Sequence, residues 1–209
     1  MKKNKLSLLL LSLLATFFMV SCGNDDNTVE EYPDWQKTNE TYFTNLYNTA
    51  KTNIAAGDTN WKIIRKWSLE DTVKVNADDN IVVQVLNKGT GSGCPMYTDS
   101  VYVHFLGRLL PSTSYPEGYV FAQTYTGDFD PTTSIPVQYA VSGLVDGFTT
   151  ALLSMHIGDT WRVYIPYKLG YETTDYNGVP AYSTLIYDIT LAAYYHPGKE
   201  VPDWRARRN

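Results

Sequence analysis

The sequence predicts an α+β domain: an antiparallel β-sheet, curved into a half-barrel, wrapped around one short helix, with a further helix added on its N-terminal side. Three observations lead there. In residues 144–171, LVDGFTTALLSMHIGDTWRVYIPYKLGY, the side chains Val145, Phe148, Leu152 and Met155 recur at the three- and four-residue steps of one helical face. After a Gly158-Asp159 turn, Trp161, Val163 and Ile165 alternate with Arg162 and Tyr164, the period of a strand, until Pro166 stops it. The remainder of the domain reads as short alternating runs, and 17 tyrosines among 209 residues suit a β-rich fold with aromatic surfaces.

Taken in order, the chain starts with a basic end, an apolar run and a small residue before Cys22, the pattern of a secretory signal over 1–21. Residues 22–33 are polar and acidic at their start and read as a flexible tether. Residues 34–80 form an N-terminal extension. In it, Trp35, Tyr42, Phe43, Leu46, Tyr47 and Ala50 make a broad apolar stripe on a helix from Asp34 to about Asn53, begun by Pro33-Asp34. Its many Thr and Asn residues lower its intrinsic propensity, so it needs a packing surface, either the outside of the domain or a second copy. Strands follow at 61–67 and 81–86, with Asp78, Asp79 and Asn80 as the turn before the second.

The domain proper spans 81–195. Cys94 sits in the glycine-rich loop 89–95, as a small residue in a turn with no cation adjoining it in sequence, and the glycines do not complete a phosphate-binding pattern. Strand 101–109 turns Val101, Val103 and Phe105 inward and His104 outward, as a partly exposed residue. A loop at 111–118 leads to strand 119–124, a turn at 127–131 and a strand at 137–141. Asp146 stands where an N-cap belongs for the short helix. A last strand closes the sheet within 180–191, and 196–209 is a polar, loose tail.

The formal net charge is −5, which argues against nucleic acid as a partner. The three histidines, His104, His156 and His196, show no metal-ligand spacing, and no nucleophile elbow or zinc-protease motif occurs. No metal and no cofactor are therefore expected.

The run GLVDGFTTALLSMHIGD followed by IPYKLGY resembles the FKBP-type peptidyl-prolyl isomerases. VYVHFLGRL at 101–109 is similar to the V-x-V-H-Y-x-G-x-L strand of that family, and PAYSTLIYDITL at 180–191 to its closing strand. The resemblance covers roughly 100–193. It implies an FKBP-like fold and a pocket in which Phe148 is the floor, Val145 and Tyr171 hold the ligand carbonyl through a backbone N–H and a hydroxyl, and Phe121 is the pocket phenylalanine. Phe105, Val137, Leu144, Val179 and Tyr187 complete the substrate-binding walls. The chain departs from the family in several places: Ala122 stands where the family carries an Asp, Glu172 where it carries a Gly, Val137 where it carries an aromatic residue, and Tyr187 where it usually carries a Phe. Asp128 or Asp130 is a candidate replacement for the missing carboxylate, although shaping the turn before Pro131 is their simpler role.

The function that this resemblance implies is an isomerase of proline-containing polypeptides that assists folding in the cell envelope, with binding of macrocyclic inhibitors implied alongside it. The alternative is a weak or inactive FKBP-fold module that binds peptides or acts as a chaperone. The stretch ending at Ser21-Cys22 resembles the bacterial lipoprotein signal, with Cys22 as the lipidated residue; an ordinary signal peptide and an uncleaved anchor are the alternatives. Lipidation would place the protein at a membrane, the outer membrane in this reading, on its periplasmic or surface face. It would also leave Cys94 as the single thiol, with no intrachain disulfide.

Overall fold

Alternation along the strands decides which side chains meet in this protein. The computed structural model describes residues 29–70, 72–201 and 204; the expected signal at 1–21, Cys22 and most of the tether lie outside the described residues. The chain divides into two units, Met1–Glu30 and Glu31–Asn209, and the fold belongs to the second. Its elements are α1 (Trp35–Ala55), β1 (Trp61–Arg65), β2 (Asn80–Asn87), β3 (Ser100–Arg108), β4 (Val120–Gln123), β5 (Val137–Ala140), α2 (Asp146–Leu152), β6 (Thr160–Ile165) and β7 (Leu185–Tyr195).

The sheet is antiparallel throughout, in the order β1-β2-β6-β7-β3-β4, and β5 pairs with the first half of β3 while β4 pairs with its second half. Odd and even positions serve two cores. Ile81, Val83 and Val85 of β2, Trp161, Val163 and Ile165 of β6, and Leu185, Tyr187, Ile189 and Leu191 of β7 face α2 and bury Phe148, Ala151 and Leu152. Val82, Tyr164 and Ile186, one residue out of step, face the other way and pack with Phe43 and Ala50 of α1. Strands covered on both faces lose the polar half of the alternation, which is why β2 reads as a continuous apolar run.

The helix α1 therefore packs on the outside of the sheet. Its attachment is polar as well as apolar. Buried Asn39 donates to the Trp35 carbonyl at 2.8 Å and accepts from the Thr184 backbone N–H at 2.7 Å, and the Trp35 indole N–H donates to the Ser183 hydroxyl at 2.8 Å. Those bonds hold Ser183 and Thr184 outside the ladder, so β7 starts at Leu185 rather than at Pro180.

Three local expectations are corrected. Asp146 does not cap α2: Val145 is the N-cap residue, and Asp146 in the first turn binds the Lys66 ammonium at 2.6 Å and the Trp67 indole N–H at 3.2 Å. A carboxylate there still suits the positive end of the helix. His104 is not partly exposed but 2% exposed, because Phe129 and Trp204 cover its ring. For the same reason the tail is not wholly loose: Trp204 packs on Tyr102 and His104, and His196 pairs with Asp99 at 2.9 Å. Among the described residues no helix is long and apolar enough to cross a membrane.

Candidate active site

Five aromatic rings from five different segments meet on the α2 side of the sheet. Phe105 comes from β3, Phe121 from β4, Phe148 from the first turn of α2, Tyr187 from β7, and Tyr171 from the loop after the 3-10 turn Tyr167–Leu169. Tyr187 stands at the centre. Its ring lies edge-on to Phe148 at 5.1 Å, to Phe121 at 5.3 Å and to Phe105 at 5.9 Å, and Phe105 and Phe148 are edge-on at 5.9 Å. These are the tilted arrangements that ring quadrupoles favour.

Two glycines make the approach possible. A Cβ at Gly107 would run into the rings of Tyr187 and Phe121, so β3 can carry them only with that residue bare. A Cβ at Gly147 would overlap Ile165, so the glycine lets α2 lie close on β6 and seats Phe148 against the sheet.

The inner rings, Phe105, Phe148 and Tyr187, are almost fully buried, whereas Phe121, Tyr171, Val137, Leu144 and Val145 are half-buried. Val179 is 1% exposed and packs in the same core cluster as the inner rings. Burial pushes the Tyr187 and Tyr171 hydroxyls above their ordinary pKa, and the two hydroxyls interact with each other. The extra hydroxyl at Tyr187 thus has its partner. No described backbone hydrogen bond uses the Val145 N–H, while its carbonyl accepts from Thr149 at 3.0 Å.

The departures from the family pattern have structural outcomes. Ala122 lies opposite Gly107 in the β3–β4 ladder, and neither candidate carboxylate takes its place. Asp130 is spent on its own turn, accepting from the Thr132 N–H at 2.8 Å and hydroxyl at 2.7 Å, bonds that also hold its carboxyl below the usual range, and Asp128 is exposed. Glu172 adopts a φ of 56°, the left-handed turn that a glycine enters without strain. Its carbonyl accepts from Tyr182 at 2.8 Å.

Two residues of the rim were not anticipated. Tyr139 lies 6.2 Å from Phe105, and Tyr176 stacks on Tyr171 at 4.5 Å. The first was open to inference, since Tyr139 is two residues from Val137 on the same strand face. The second comes from an irregular loop with no periodicity to read. Cys94, by contrast, meets a histidine that sequence adjacency hides: its sulfur is 3.9 Å from His156 Nε2, while burial raises the thiol pKa. Among the described residues no group of three or more His, Cys, Asp and Glu is placed to hold a metal.

Residues 91–192, which carry these rings, match the family model described as FKBP-type peptidyl-prolyl cis-trans isomerase. Over those residues the chain is similar to the FKBP family. The matched stretch takes in all nine residues expected to form the pocket. The chain is 32% identical over 136 residues to the macrophage infectivity potentiator of Trypanosoma cruzi, covering 65% of this chain and 62% of that protein. It is 31% identical over 128 residues to the FKBP-type 22 kDa peptidyl-prolyl cis-trans isomerase of Escherichia coli (strain K12), covering 59% and 56%. It spans less than two thirds of the length of either relative. Among solved structures, FkpA from Escherichia coli aligns with 93% of this chain and 73% of its own at 21% identity, with a TM-score of 0.47.

Proposed function

We propose that this protein is a peptidyl-prolyl cis-trans isomerase that acts on proline-containing polypeptides without covalent chemistry. The observation that carries the reading is the meeting of five aromatic rings from five segments, inside the matched stretch, in a site whose nine expected residues carry no charge. Rotation about an X-Pro bond is slow because amide resonance must be broken, with a barrier of about 18–20 kcal/mol. The planar amide is the more charge-separated form. An apolar site disfavours it more than the twisted form and so binds the transition state differentially. Phe148 is the floor for the proline ring. The free Val145 N–H and the Tyr171 hydroxyl hold the preceding carbonyl. Phe121 closes the side, and macrocyclic inhibitors bind on the same rings.

A protease-coupled assay on a short X-Pro peptide tests this. The wild-type chain accelerates isomerisation, Phe148→Leu loses at least tenfold in kcat/KM, equivalent to about 1.4 kcal/mol, and Tyr171→Phe loses less. Rates equal to the uncatalysed reaction in the wild-type chain would overturn the reading. Ala122 favours a second reading, a peptide-binding module with little turnover, since neither Asp128 nor Asp130 stands in for the carboxylate it lacks. In that case the peptide binds with no acceleration, and Ala122→Asp raises the rate.

The site of action is the cell envelope, with the chain held to a membrane by a lipid on Cys22. The basic and apolar run before that cysteine supports this. The division into signal, tether, extension, domain and tail follows from the same reading. Metabolic labelling with a fatty-acid analogue marks the wild-type chain; label retained in Cys22→Ala contradicts the anchor.

A further inference from the structure

A cavity of about 500 Å³ lies on the sheet face opposite Phe105 and shares no residue with the nine of the aromatic site. Its floor is a single registered row. Asn87 pairs with Thr160, Thr160 with Thr190, and Thr190 with His104, across β2, β6, β7 and β3. Directly paired residues share a sheet face, so four polar side chains stand side by side. Over them lie Phe129 and Pro131 from the turn after β4, and Trp204 from the tail. The His104 ring is 4.9 Å from Phe129 and meets Trp204 edge-on at 6.5 Å.

The polar groups of this site are incompletely used. The Thr160 and Thr190 hydroxyls bond each other at 2.9 Å. His104 is 2% exposed, and neither its Nδ1 nor the Trp204 indole N–H, both buried, has a hydrogen-bond partner among the described residues. Native proteins rarely leave such atoms unpaired, so both groups remain available to a water or a ligand. No lining residue is an acid, a lysine or an arginine, and burial lowers the His104 pKa, which keeps the ring neutral. A charged ligand would enter without a counter-charge and is disfavoured. The volume falls within the range of small-molecule pockets.

We propose that this cavity is a second binding site, for a flat, uncharged aromatic molecule with a carbonyl or hydroxyl edge. The rings of Phe129 and Trp204 take its faces, the threonine and asparagine row meets its polar edge, and the indole N–H finds its acceptor there. The site is independent of the isomerase reading, because its binding is read without turnover.

The test is a titration of the full chain with 7-methoxycoumarin, a flat neutral carbonyl compound, followed by nitrogen-15 NMR. Saturable shifts of the Trp204 indole N–H and the His104 imidazole signals are expected. Ala192→Trp or Thr132→Trp, each filling the cavity from a different side, abolishes those shifts and leaves the rate on an X-Pro peptide unchanged. Phe148→Leu keeps the shifts. The proposal is overturned if the Trp204 and His104 signals stay fixed, or if an X-Pro peptide displaces the coumarin, which would place it among the rings of the isomerase site.

Discussion

His104 shows how one buried ring sets a pH dependence. Burial lowers its pKa from the ordinary 6.5, so the folded protein holds the neutral form. The unfolded chain takes up a proton near 6.5 and the folded one does not; this contribution is full above that value and is lost as pH falls below it. Urea unfolding at pH 7.5 and 5.5 should show a smaller loss of stability in His104→Gln than in the wild-type chain; equal losses would contradict the assignment. Glu172 offers a second residue-scale prediction. A side chain at φ 56° is strained, and glycine relieves that strain at some cost in unfolded-state entropy. Glu172→Gly should raise stability by about 0.5–1 kcal/mol, measured by the same unfolding.

At the scale of elements, α1 is held by Asn39 as much as by its apolar stripe. Both polar groups of that buried side chain are bonded, one of them to the backbone of the segment that leads into β7. Asn39→Ala leaves the Thr184 N–H buried without a partner, which costs roughly 1–3 kcal/mol. The shift of the urea midpoint measures it, and no shift would mean that water replaces the amide. The elements themselves were largely legible. Period-two and period-four patterns located α1, α2 and seven strands, because each element has one face that must be buried. The ends were less so. Strand β7 begins five residues later than its alternation promises, since Tyr182 has a φ of 63° and Ser183 and Thr184 bond α1. Such losses come from contacts made far along the chain, which local pattern does not carry.

For the whole molecule, the same distinction separates what could be read from what could not. Phe105, Phe148, Tyr171 and Tyr187 were identifiable through short motifs in a fixed order, and the fold brings them together with Phe121. The near-complete burial of Val179 was not legible, because its neighbours in the loop do not reveal that the chain turns inward there. The burial of His104 had no sequence signal, since Trp204 lies a hundred positions away and reaches it only by tertiary packing. Two faces of one sheet thus carry two separate aromatic clusters, one on the odd positions of β3 and one over the even.

Catalysis by an uncharged ring cluster is the central claim, and exchange NMR on a short X-Pro peptide with catalytic amounts of protein tests it most directly. Cis–trans exchange should quicken by the same factor at pH 6, 7 and 8, since no group of the site titrates there. A bell-shaped profile, or no acceleration at any of the three, would contradict it.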